Sequence, residues 1–440
     1  METKLNLIKE IAGKDRKCKL NNLAHLLNEV NLSECFFMLK GGKATGIDGV
    51  SLEEYESNLS NNLKDLIDRM KRQAYKPQAV KRVYIPKANG KMRLLGIPTI
   101  EDKLVQMCIM RILNAIYEVD FLDMSYGFRP NRSCHDAIDA LDKIIMKNPV
   151  NHIIDADIKG FFDNVSHEWM VKFLGERIGD FNLIRIIVRF LKAGVMDKEL
   201  FQETEKGTPQ GGVISPILAN IYLHYVLDLW IEKVIKKNCR GYVEMVRYAD
   251  DFVICVQYKE EVEMIMKAMK ERLTKFGLEL AEDKTRIIGF GRFADKNARN
   301  KGKKTETFNF LGFTHYCDKG RSGVFKVGIK TERKKFKAKV KEMNIWLKSI
   351  RNKIKLKEIW KIFCAKLRGH FQYFGVSGNY IGISRFYVKC VRLLMKWLNR
   401  RSQKKSFNWE KLTKYIKCYN IPKPKIYHNM YTSYGYGLEY

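Results

Sequence analysis

At 440 residues the chain exceeds one ordinary domain, and two or three domains of common size are the expectation. Apolar residues make up 45% and aromatic ones 12%, which is enough to build cores and excludes disorder as the dominant state. The formal charge of +32 is unevenly spread: residues 301–440 hold 34 Lys and Arg against 7 Asp and Glu, so a near-neutral body runs into a strongly cationic last third suited to holding a polyanion.

In chain order, residues 1–40 read as one or two helices, with Leu20, Leu23, Leu26 and Leu27 at helical spacing. The turn-rich passage Gly41–Gly49 lacks the GxxxxGK[ST] spacing and is not a nucleotide-binding P-loop. From Lys81 to Pro98, Val83, Ile85, Leu94 and Ile97 alternate around the turn Lys87-Ala88-Asn89-Gly90, the pattern of a hairpin. Residues 101–117 run at helical spacing, and 150–158 form an apolar strand that ends in Asp155-Ala156-Asp157. Helices are expected over about 168–192 and about 215–235. Two short strands, one with Val243 and Met245 and one with Phe252, Ile254 and Val256, flank Tyr248-Ala249-Asp250-Asp251. Val262, Ile265, Met266, Met269, Leu273 and Phe276 then form one helix face, Gly277 ends that helix, and a strand is expected near Leu278–Leu280. This order suits a split βαβ sheet with helices on one side. Beyond about residue 330 the pattern is helical and basic, the mark of a separate domain, and no internal repeat is visible.

A membrane surface competes with nucleic acid as the polyanion. Trp346, Trp360, Tyr373, Trp397 and Trp409 are interleaved with the basic stretches, and no run of about 18 apolar residues occurs, so nucleic acid is favoured and no membrane is expected. The 10 cysteines are scattered without a CxxC pair, against a zinc ribbon, a finger or a thioredoxin-type site. The start METKLNLIKEIAGKDRK has no apolar signal core, which points to a reducing, cytoplasmic compartment.

Nucleotide polymerisation uses two metal ions roughly 4 Å apart that clamp the attacking oxygen and the leaving phosphate. Mg²⁺ takes oxygen ligands, so carboxylates must converge from separate strands. Asp157 at one strand end and Asp250-Asp251 at an adjacent hairpin turn are placed for that purpose, with Asp155 the rival to Asp157. A lone Asp-Asp turn is ordinarily solvated surface, but two adjacent acids between apolar strands are harder to explain that way.

The segments Asp157-Ile158-Lys159-Gly160-Phe161-Phe162-Asp163, Gly207-Thr208-Pro209-Gln210-Gly211-Gly212 with Ser215–Asn220, and Tyr248-Ala249-Asp250-Asp251 resemble the motifs of reverse transcriptases, in their order. Ile97-Pro98-Thr99, Tyr126-Gly127-Phe128-Arg129-Pro130-Asn131-Arg132 and Phe310-Leu311-Gly312-Phe313 are similar to the group II intron (maturase) subset. The resemblance implies an α+β right-hand polymerase: an N-terminal helical extension over 1–60, fingers and palm with a split βαβ antiparallel sheet over 61–315, and an all-α basic thumb or maturase domain over 316–440. It implies an RNA-directed DNA polymerase that takes an RNA template, a primer and dNTPs with two Mg²⁺ ions, and that binds a group II intron RNA.

By the same resemblance Asp157, Asp250 and Asp251 carry the metals, with the Ile158 carbonyl as a backbone ligand. Asp157 is preferred over Asp155 because an aromatic residue, Phe162, stands five positions later; its ring would crowd a ribose 2′-hydroxyl, unless it is simply core, a role that suits Phe161 better. Lys87 and Arg93 would reach the triphosphate, Gln210 would lie against the template–nucleotide pair, and Lys284 would protonate the pyrophosphate. Arg129, Lys334, Lys335, Arg368, Arg400 and Arg401 are expected on nucleic acid, against the plainer reading of a generic cationic face. Paired cysteines and metal-binding histidines of a His-Asn-His endonuclease are missing, so the expectation is mobility without second-strand cleavage. A domesticated enzyme of phage defence or repair, and a maturase without polymerase activity, are the alternatives.

Overall fold

A computed structural model describes residues 1–86, 92–197, 200–208, 211–320, 323–401 and 407–430. The chain parts into two compact units, the first formed by Met1–Ala137 with Ile154–Ile287 and the second by Ile138–Ile153 with Ile288–Tyr440. The expected boundary lay near residue 315, whereas the observed division falls earlier. Ile138, Phe313 and Ile329 share one apolar core with Phe363, Phe371 and Leu394 of the basic helices, so burial ties these segments together. The helices of residues 1–60 likewise belong to the first unit, where Leu5, Leu32 and Phe36 join its core.

In the first unit, β1 (Val80–Pro86) pairs antiparallel with β2 (Met92–Ile97), with Ile85 opposite Arg93. β1 also pairs in parallel with β4 (Val195–Asp197), and β4 pairs with β5 (Leu200–Gln202), to give the order β2-β1-β4-β5. A second sheet has the order β6-β7-β3-β8, from β3 (His152–Asp157), β6 (Val243–Tyr248), β7 (Asp251–Val256) and β8 (Arg286–Gly289). The helices Ile100–Tyr117, Ser215–Leu223 and Lys259–Lys275 bury Ile109, Leu218 and Ile265 in the same core as Ile154, Met245 and Ile254 of this sheet. In the second unit β9 (Phe308–Phe310), β10 (Phe313–Lys319) and β11 (Phe325–Thr331) form an antiparallel meander. The helices Arg333–Ile350, Leu356–Phe374, Tyr380–Leu398 and Trp409–Cys418 follow. Mixed α+β structure followed by basic helices is what the sequence leads one to expect.

Three local expectations need correction. Leu20, Leu23, Leu26 and Leu27 are buried, but their stretch holds only the short 3₁₀ turn Ala24–Leu26, and Asn22 is left-handed at φ 53°. The helix over about 168–192 is two helices, His167–Gly175 and Phe181–Leu191. One residue explains both differences. Asp180 caps the second helix through Asn182 N (2.9 Å) and Leu183 N (3.2 Å), while its other oxygen accepts from Leu23 N (2.6 Å) and Ala24 N (2.7 Å). Finally, the segment at Leu278–Leu280 makes only an isolated bridge, Leu280 to Ile158. The helix beginning at Ser215 continues to Asn238, but through π-type turns at His224–Asp228 and Ile231–Ile235.

Candidate active site

Strand β3 ends at Asp157, and the backbone beyond it is tied down: Ala281 N donates to Asp157 O (2.8 Å) and Lys159 N to Glu279 O (2.8 Å). β6 and β7 are joined by a two-residue turn, since Tyr248 pairs with Asp251, and Ala249 and Asp250 lie between them. Such turns demand positive φ, and Ala249 stands at φ 58°, where a Cβ is strained. Packing holds it there. A Cβ on Gly127 would lie 2.4 Å from Ala249 N, so the Tyr126–Arg129 segment closes directly on the turn.

The three acids are electrostatic neighbours. Burial, then the charge of Asp157, raises the Asp250 carboxyl above its ordinary range, with Arg93 and Lys284 opposing. Asp251 is pushed up to about 7 by the surrounding protein and by Asp250, Asp157 and Asp155, although its surface is exposed. Lys284 hydrogen-bonds and ion-pairs with Asp157, and that bond raises its own pKa. Asp155, the rival, has Arg286 at 4.0 Å. Among the described residues no three His, Cys, Asp or Glu side chains form a ready-made metal-holding group. The donor chemistry nevertheless fits a hard divalent cation, since all three are carboxylates and their mutual repulsion is what a cation would relieve.

Phe161 and Phe162 divide as the side-chain pattern suggests. Phe161 is buried against Tyr222, whereas Phe162 is half-buried and meets Phe161 edge-on at 5.3 Å. The carbonyl of Phe162 accepts from Thr208 N (2.7 Å), and Gly207 N donates to Val165 O (2.7 Å). Gly207, at φ 93°, would bring a Cβ within 2.9 Å of Phe162 O, so only glycine lets the chain lie flat here. His167, whose pKa burial lowers, bonds Gly207 O through Nε2 at 2.7 Å. The Phe162 ring walls a cleft of about 270 Å³ that Arg82, Asp163, Lys206 and Thr208 also line.

Arg93 is exposed on β2, and its charge acts on Asp250. Lys87 and Gln210 lie outside the described residues. Arg129 is a correction: it is 7% exposed and spends its donors on Glu118 (2.7 Å), Leu122 O (2.7 Å) and Ser125 O (2.9 Å). Such a buried, satisfied guanidinium shapes its own loop and does not face a phosphate. In the second unit Lys334, Lys335, Arg368 and Arg400 are exposed and Arg401 half-buried, and Arg400 lies 5.3 Å over the Trp397 ring.

Sequence reasoning passed over a buried polar cluster beneath the turn: Arg247, Asp228, Asn220 and Ser125, all 0% exposed. Its signal was present, an Arg in the apolar strand VEMVRY and an Asp in an apolar helix, both costly unless paired.

Comparison with known proteins follows the same lines. The family model described as reverse transcriptase (RNA-dependent DNA polymerase) matches residues 85–315. The chain is 30% identical over 424 residues to the group II intron-encoded protein LtrA of Lactococcus lactis subsp. cremoris, covering 79% of this chain and 69% of that one. It is 35% identical over 279 residues to the protein YkfC of Escherichia coli strain K12, covering 56% of this chain and 73% of the relative. An uncharacterized 91 kDa protein in the cob intron of Schizosaccharomyces pombe is 37% identical over 199 residues, 45% of this chain and 23% of that one.

Proposed function

The chain belongs to the reverse transcriptase (RNA-dependent DNA polymerase) family, and from that premise we propose that it extends a primer on an RNA template using two Mg²⁺ ions held by Asp157, Asp250 and Asp251 with the Ile158 carbonyl. The observation that carries this reading is the convergence of carboxylates on neighbouring strands: β3 ends at Asp157 beside β7, which begins at Asp251 directly after the Ala249–Asp250 turn. The bound ions would supply charge neutralisation at the attacking and leaving oxygens. Arg93, whose charge is already felt at Asp250, binds the incoming triphosphate, with Lys87 and Gln210 assigned to the same nucleotide. Phe162 excludes a ribose 2′-hydroxyl by bulk, its backbone fixed by Thr208. Lys284 leaves Asp157 when the site is loaded and delivers its proton to the pyrophosphate.

Lys334, Lys335, Arg368, Arg400 and Arg401 present charge for the duplex and for a group II intron RNA, whose splicing and mobility the protein would assist. Among the described residues no helix is long and apolar enough to cross a membrane. The test is template-dependent dNTP incorporation in Mg²⁺ by the full chain. Asp250→Ala should abolish it and leave RNA affinity in place; synthesis at wild-type rate by this variant would sink the metal assignment.

A further inference from the structure

Arg247 is the largest fully buried side chain in the protein among the described residues. All five of its N–H donors are used. Nε and Nη2 fork onto Asp228 at 2.7 and 2.5 Å, Nη1 reaches Asn220 Oδ1 (3.2 Å) and Ala249 O (3.0 Å), and Nη2 also reaches Ser125 Oγ (2.8 Å). Asp228 is itself fully buried and closes the π-type turn His224–Asp228, a wider helical turn of a kind often found at functional sites. The main chain doubles these ties: Arg247 N donates to Met124 O (2.8 Å), Tyr126 N to Arg247 O (2.9 Å), and Asn220 Nδ2 to Gly127 O (2.8 Å).

One guanidinium thus joins two separate segments, the Ser125 loop and the helix that carries Asn220 and Asp228, to the carbonyl of Ala249, the residue immediately before Asp250. Ala249 is also the strained one. A non-glycine residue held at φ 58° persists only where its surroundings over-determine it. An ion pair whose sole task was to fill the core would not need a bond to that carbonyl, and apolar residues of similar volume would fill the core at least as well.

We propose that Arg247, with Asp228 as its anchor, is a positioning residue for the metal-holding carboxylates: it fixes the Ala249–Asp250 turn so that Asp250 and Asp251 meet the cations without reorganisation. The inference rests on the polymerase reading above and adds to it a residue that touches neither substrate nor metal.

Two variants test it, with turnover counted per folded molecule. Asp228→Leu/Arg247→Met removes both charges together, so no unpaired ion is left buried, and the melting temperature should stay near that of the wild type. Arg247→Lys keeps the charge opposite Asp228, but one ammonium cannot serve both the carboxylate and Ala249 O. In both variants the Mg²⁺ concentration for half-maximal primer extension should rise, and kcat should fall roughly tenfold to a hundredfold, as expected for an ångström-scale misplacement. The dNTP KM and primer–template affinity should change little, a split that a loosened core would not produce. Wild-type turnover and Mg²⁺ dependence per folded molecule, or failure of both variants to fold, overturns the proposal. Asp250→Ala run alongside separates the two claims. If it too leaves synthesis untouched, the polymerase reading of the site fails; if it abolishes synthesis while the Arg247 variants are unaffected, only this inference fails.

Discussion

Gly127→Ala tests whether the Tyr126–Arg129 segment holds the metal-binding turn in place. The added Cβ would sit 2.4 Å from Ala249 N and 3.0 Å from the Tyr248 carbonyl carbon, against an ordinary van der Waals approach that begins at 3.4 Å. Both clashing atoms are backbone, so no side chain can swing away. The turn or the Tyr126–Arg129 segment must move by about 1 Å, and overpacking of this kind costs about 1–3 kcal/mol. In a unit of this size that lowers the melting temperature by roughly 2–10 °C. The same displacement at Asp250 should reduce kcat by about a hundredfold. Gly175→Ala is the control, since nothing lies within 4 Å of its added methyl and it ends a helix. Single-turnover primer extension, with the folded fraction measured by circular dichroism, reads both effects. Wild-type turnover in a stably folded Gly127→Ala protein would refute the clamp, as would a loss of activity that follows only the unfolded fraction.

Replacing Phe162 by Ala or Val should admit ribonucleotides, read as rNTP against dNTP incorporation; an unmoved ratio would make the ring a packing residue only. Asp251, raised from its usual 3.8 to about 7, binds its proton more tightly folded than unfolded, so this group makes the metal-free protein less stable as pH rises from about 4 to 7. Mg²⁺ displaces that proton and relieves the repulsion, so its stabilising effect on melting should be larger at pH 8 than at pH 6, and an equal shift at both would contradict the assignment. Changing Arg400 and Arg401 together to Ala should flatten the dependence of log affinity for RNA on log salt by roughly 0.7–0.9 for each phosphate no longer neutralised. Equal affinity of the intact protein for a host intron and a scrambled RNA at every salt would remove the maturase role and leave the polymerase untouched.

The parts of the site that a reader of the sequence can find are those whose chemistry is local. The Asp250–Asp251 pair lies between two apolar runs, and its hairpin is where those runs place it. Phe161 and Phe162 open the short helix Phe161–Asn164, where adjacent side chains point about 100° apart, so one is buried and the other stays half out. What escaped was set by partners far off in sequence. Asp180 breaks a helix that periodicity would carry through, because it serves Leu23 and Ala24 more than 150 residues away. Arg129 looks like a phosphate ligand until Glu118 is seen beneath it. Leu278-Glu279-Leu280 alternates apolar and polar as a strand would, yet only Ile158 is there to pair with Leu280.

The division of the chain into two units carries a consequence for synthesis on the ribosome. Residues 138–153 emerge early, but the core they complete, with Phe313, Ile329 and Phe371, is made only after residue 288. At translation speeds of about 5–20 residues per second, Ile138 and its neighbours wait several seconds or more for those partners. Slower codons or a chaperone acting over that interval would govern yield more than any change to the catalytic carboxylates. A chain cut near Phe313 strands the same segment permanently, which makes point substitutions in the basic helices the cleaner way to separate polymerase from RNA-binding roles.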